Sequence, residues 1–183
     1  MERRYTLLTS FFIGGAIGGL WETLLFLVKD GAFTWRSGIM FIPLINPVYG
    51  AAALLITLFM EKRRSSAEIL LFSFIAASAI EYSASFFEEL ILGTPSWNYS
   101  TKPFNLNGRI CLLYSVFWSV MALSYSRLVN PLILEIKGRE KAIRVLSLVY
   151  AFFLVISVCF RLSSCLMPSM FPAIDRLCLF FYP

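Results

Sequence analysis

Long apolar runs separated by short polar links dominate the chain. A helix that crosses the hydrocarbon core of a bilayer needs about 20 mostly apolar residues. Five stretches meet that requirement: residues 5–28, 39–60, 69–92, 110–129 and 145–167. The alternating pattern of a membrane barrel is absent, so the pattern predicts an all-α membrane protein. The expected architecture is a bundle of about five transmembrane helices in one domain, residues 1–183. Pro43 and Pro47 near the start of the second stretch predict a kinked helix there. The longest polar link, residues 93–109, carries Pro95, Trp97, Tyr99 and Pro103, which predicts a packed extracytoplasmic loop. Residues 130–144 form a basic link expected at the headgroups. The tail, residues 168–183, is broken by prolines, too short to span again and expected to lie in the interface. The first stretch follows Arg3 and Arg4, as a signal peptide would. It is too long for such a segment and lacks an A-x-A-like cleavage site, so it reads as a retained helix.

Composition agrees with a membrane protein. Of 183 residues, 58% are hydrophobic and only 15% charged, against about a quarter charged in soluble domains. A sphere of this size cannot hide so much apolar surface, which excludes a soluble enzyme, a disordered chain and a nucleic-acid-binding domain. There is no histidine, which removes His-based triads, metal sites and proton shuttles. The four cysteines form no C-x-x-C pair and read as small packing residues. Neither a metal nor a cofactor is expected. No phosphate-binding G-x-x-x-x-G-K-[ST] occurs, so ATP hydrolysis would belong to another chain.

Charge sets the orientation. With the N-terminus in the cytoplasm, ten of the 16 Lys and Arg residues face inward and five outward, while Arg161 lies inside the fifth stretch. Basic residues favour the cytoplasmic side, so the C-terminus is expected outside. The net charge of +5 then reflects topology and contact with anionic lipid, not nucleic acid.

Charges at bilayer depth are the informative residues, because each costs about 2.5–3.5 kcal/mol at a helix centre. Glu22 follows Gly14, Gly15, Gly18 and Gly19, whose small-xxx-small spacing predicts a tight helix contact. Ser78, Glu81, Ser85 and Glu88 recur at three- to four-residue spacing and form a polar stripe on one face of the third helix. Two readings stand side by side. In one, these groups hold helices together, with Glu81 protonated or paired with Arg161. In the other, Glu22, Glu81, Glu88 and the 93–109 loop line a polar cavity open to the outer face. The broken backbone at Pro43, Pro47 and Tyr49 would border it, as broken helices do in transporters.

The run from Glu81 to Leu112 resembles a bacterial family of ABC-transporter permeases of the CmpB type. That family opens the motif with Glu-Tyr, here Glu81-Tyr82. A Trp-Asp-Tyr-Ser follows, here Trp97-Asn98-Tyr99-Ser100, and then Asn-x-x-Gly-Arg-x-Cys-Leu, here Asn105 to Leu112. Gly38, Pro43, Pro47, Tyr49 and Gly50 match its Gly/Pro-rich second helix, and Glu22 its first-helix Glu. Asn98 replaces the family's Asp, and Ile42 its Gly. The resemblance covers roughly residues 10–130. It implies a permease-like subunit of a bacterial plasma membrane with a separate ATPase partner. It also adds Tyr82, Trp97, Tyr99, Asn105 and Asn107 to Glu22, Glu81, Glu88 and Arg109 as substrate- or ion-binding candidates.

Transport through a carboxylate-lined site is the leading expectation. A non-catalytic membrane partner or assembly factor is the first alternative. The second is an intramembrane enzyme acting on lipid-linked substrates, with two carboxylates as acid and base and Arg109 holding a phosphate.

Overall fold

The computed structural model describes residues 2–31, 33, 44–62, 64–95, 97–136 and 138–166; of residues 30, 92 and 160–166 it describes the backbone. The chain is mostly helical. Helix α1 spans Arg3–Asp30, α2 Pro47–Phe59, α3 Ser66–Leu92, α4 Leu112–Ser124, α5 Asn130–Glu135 and α6 Glu140–Leu166. Two short strands, β1 (Asn105–Leu106) and β2 (Ile110–Cys111), pair antiparallel between α3 and α4.

Among the described residues, four rods are long and apolar enough to cross a membrane: Arg3–Lys29, Ser66–Ile91, Leu112–Glu135 and Glu140–Cys159. Their packing inverts that of a soluble protein. Ser10, Thr57, Ser85, Ser115, Ser119, Ser126 and Asn130 are buried, while Leu90, Leu113, Leu148 and Phe152 are more than half exposed. Lipid solvates the large apolar side chains, and small or hydroxylated residues let the backbones meet inside.

The second helix differs from expectation. Pro47 does not kink a long helix; it stands at the first turn of a 13-residue one. Proline suits that position because its missing N–H would be unsatisfied there anyway. Asn46 caps the helix, its Oδ1 accepting from Val48 N at 3.0 Å. Residues 44–46 are not helical, and Pro43 and the rest of the expected start lie outside the described residues.

The glycines of α1 explain how α2 docks. A methyl group at Gly14 would strike the Ala53 side chain, and one at Gly18 the Tyr49 ring. The helices come close enough for Asn46 N to donate to the Gly15 carbonyl at 3.1 Å. Gly15 lies near the middle of α1, so α2 starts halfway along its neighbour. Ser10 completes this contact by reaching the Ala53 carbonyl at 2.9 Å.

The third rod, Leu112–Glu135, also departs from expectation. Residues 130–135 continue it as helix instead of forming a link. Pro131 has no N–H and its ring crowds the carbonyl four residues back. The backbone answers with a π turn at Tyr125–Val129, where Asn130 N reaches back to Tyr125 O. That turn presents Tyr125 and Asn130 to the interior. Tyr125 meets Ser10 at 2.8 Å, Ser10 meets Thr57 at 2.6 Å, and Thr57 donates to Asn130 at 3.0 Å. Helix α6 packs Tyr150 edge-on against Phe11 and Phe12, both at 5.5 Å. The side chains of Arg161 and Cys165 and the tail, residues 167–183, lie outside the described set; Cys111 is buried and Cys159 exposed.

Candidate functional site

The polar candidates separate into two tiers at the end of the bundle that carries the hairpin. The deeper tier sits where α1, α2, α3 and α4 meet. Glu22 of α1 accepts from Asn46 Nδ2 at 3.2 Å. The Tyr49 hydroxyl also hydrogen-bonds Glu22 and faces Glu81 of α3. Glu81 is only 7% exposed. Its Oε1 accepts from the Tyr99 hydroxyl at 2.9 Å, and the Trp118 indole of α4 approaches the same carboxyl. Its Oε2 is buried with no hydrogen-bond partner. Aromatic rings wall this tier: Tyr99 stacks on Tyr114 with centroids 4.7 Å apart, and Tyr49 meets Trp118 edge-on at 5.4 Å. Burial, then the Glu81 carboxylate beside it, push the Tyr99 phenol well above its ordinary range. Tyr99 therefore remains an O–H donor at any pH the protein meets.

The outer tier is the loop itself, and here the candidates are spent on structure. Arg109 forms an ion pair with Glu89, donates to Ser85 Oγ at 3.2 Å and lies over the Tyr82 and Phe86 rings. Trp97 Nε1 donates to the Arg109 carbonyl at 2.9 Å. Asn107 Nδ2 donates to the Tyr82 hydroxyl at 2.9 Å. Asn105 braces the loop by donating to the carbonyls of Ser100 and Lys102 and accepting from Gly108 N. Asn107 and Gly108 both have positive φ, the combination that Asn-Gly tolerates in a hairpin turn. Tyr99 N donates to the Gly108 carbonyl at 2.7 Å, which sets the height of the Tyr99 ring over Glu81.

Asn98 is part of the same frame. Its Oδ1 accepts from Ser100 N at 2.8 Å. Asp makes that turn equally well, so the exchange at this position preserves the loop. Glu88 lies half-buried two turns beyond Glu81 on the same helix face.

The structure thus brings Glu22, Tyr49, Glu81 and Tyr99 together, and sets Tyr82, Trp97, Asn105, Asn107 and Arg109 around the loop that holds Tyr99. Sequence reading did not single out Tyr114 or Trp118, whose signal was only aromatic residues in an apolar run. Asn46 carried a legible signal, since Asn-Pro before a helix marks its start.

Four membrane-length apolar rods with buried hydroxyls and exposed large aliphatic side chains define an integral membrane protein. The chain belongs to the family described as "Putative ABC-transporter type IV", whose family model matches residues 9–162. No curated protein and no solved structure matches it.

Proposed function

We propose that the chain is the membrane-embedded subunit of an ABC-type transporter, with its polar site in the Glu22–Tyr49–Glu81–Tyr99 tier. It carries no phosphate-binding loop, so a separate ATPase chain supplies the energy. The site opens toward the outer face of a bacterial plasma membrane, with the N-terminus inside, as the distribution of basic residues favours. Glu22, Glu81 and Tyr99 contact the transported cation or polar solute. Tyr82, Trp97, Asn105, Asn107 and Arg109 position Tyr99, and Glu88 lies on the route out.

One observation supports this most: two carboxylates from different helices meet around one tyrosine, at the level where α2 begins. Intramembrane acids mark ion and substrate pathways. Solutes are profiled by mass spectrometry in cells that carry the chain, lack it, or carry Glu81→Gln. A solute whose uptake needs the chain and falls about tenfold in the variant, the effect of ~1.4 kcal/mol, supports the proposal. Identical profiles in all three strains refute it.

A further inference from the structure

We propose that Glu81 Oε2 is a proton-binding site. This deepens the transport reading and takes its meaning from it, by naming the ion that the deeper tier handles.

The argument starts from an acceptor without a donor. Glu81 Oε1 holds the Tyr99 hydroxyl, while Oε2 is out of water and hydrogen-bonds to nothing. Buried acceptors in that condition are rare in folded proteins. A basic side chain would satisfy it. Among the described residues the ion pairs lie elsewhere: Arg3 with Glu61, Arg4 with Glu2, Arg64 with Glu68, Arg109 with Glu89. None of these ion pairs includes Glu81; the Arg161 side chain of α6 lies outside the described residues. The titratable groups that face it are Tyr99 from the loop and Tyr49 from α2; Glu22 of α1 joins through Tyr49, and Tyr114 of α4 lies behind Tyr99.

A proton suits the place because it needs no volume among rings already in contact. Proton binding forms one O–H bond on Oε2 and cancels one negative charge. The proton comes from water and returns to it, and nothing is oxidised or reduced. Protonated Oε2 is no longer a charged acceptor without a donor. Tyr99 senses the change at the other oxygen and passes it to the loop through its backbone bond to Gly108.

The test is infrared difference spectroscopy of the full chain in lipid vesicles, between acidic and alkaline pH. The expected result is a protonated-carboxyl band that disappears in Glu81→Gln and persists in Glu135→Gln, a change at an exposed position. Glu81→Asp keeps a carboxyl and should keep a displaced band, which separates loss of the group from loss of the fold. Tyr99→Phe should keep the band and change its pH midpoint. A band that survives Glu81→Gln overturns the proposal, and so does the absence of any such band in the folded wild type. No uptake is measured, so failure here removes the proton site alone, and failure of the solute profiles removes the transport reading alone.

Discussion

The α1–α2 contact makes a prediction that can be worked from single atoms. In Gly14→Ala the new methyl overlaps the Ala53 methyl. Neither group can turn away, because each is fixed directly to a helix backbone. Relief requires the helices to part, and overpacking of this kind costs about 1–3 kcal/mol. Alanine is the better helix former by about 1 kcal/mol, so the net loss is smaller than the clash. Adding Ala53→Gly deletes the opposing methyl. The next atoms facing the new one are then Tyr49 O at 3.3 Å and Ala53 Cα at 3.6 Å, which need only a small adjustment. The double variant should therefore recover most of the loss, with a coupling energy of about 1–3 kcal/mol between the sites. Reversible unfolding of wild type, both single variants and the double variant in mixed micelles gives the four free energies. Additive effects, with coupling below about 0.5 kcal/mol, would show that the helices do not meet at these positions.

Three further outcomes follow from named contacts. Asn98→Asp should leave stability within about 0.5 kcal/mol of wild type, while Asn98→Ala loses the acceptor for Ser100 N and should speed hydrogen exchange in the 97–111 loop; equal exchange in both variants would refute the assignment. Ser10→Ala removes a hydroxyl shared by Thr57, Tyr125 and the Ala53 carbonyl, and unfolding should register about 1–3 kcal/mol, the cost of buried groups left unpaired. Pro131→Ala restores the missing N–H, so the π turn should revert to a regular α ladder and rotate Asn130 away from Thr57; cysteines at positions 57 and 130 that cross-link equally well with and without Pro131 would contradict this.

What the chain revealed unaided followed the physics of lipid. Long apolar runs announce helices because no other local structure satisfies its backbone in hydrocarbon. Glu22 and Glu81 stood out for the same reason, and they do meet around Tyr49. Prolines were harder to read. Pro47 and Pro131 both follow asparagine, yet one opens a helix and the other is absorbed in a π turn. The difference lies in whether residues upstream are already helical, which depends on tertiary contacts: Asn46 hydrogen-bonds the Gly15 carbonyl of α1, whereas Asn130 is held by Thr57 of α2. The loop residues posed a related difficulty. A motif rich in Asn, Arg and aromatics has the composition of a binding surface. Only the geometry shows that Arg109, Asn107 and Trp97 spend those groups on one another and on α3.

The halfway start of α2 has an electrical consequence. Its first turn lies opposite the middle of α1, a helix about 42 Å long at 1.5 Å per residue. An ion that comes to rest beside it has crossed part of the field between the two faces of the bilayer. Complete passage of one elementary charge is worth about 2.3 kcal/mol per 100 mV, so half the depth is worth about 1.2 kcal/mol. On the proposed transport reading, occupancy at this depth answers to membrane voltage as well as to concentration.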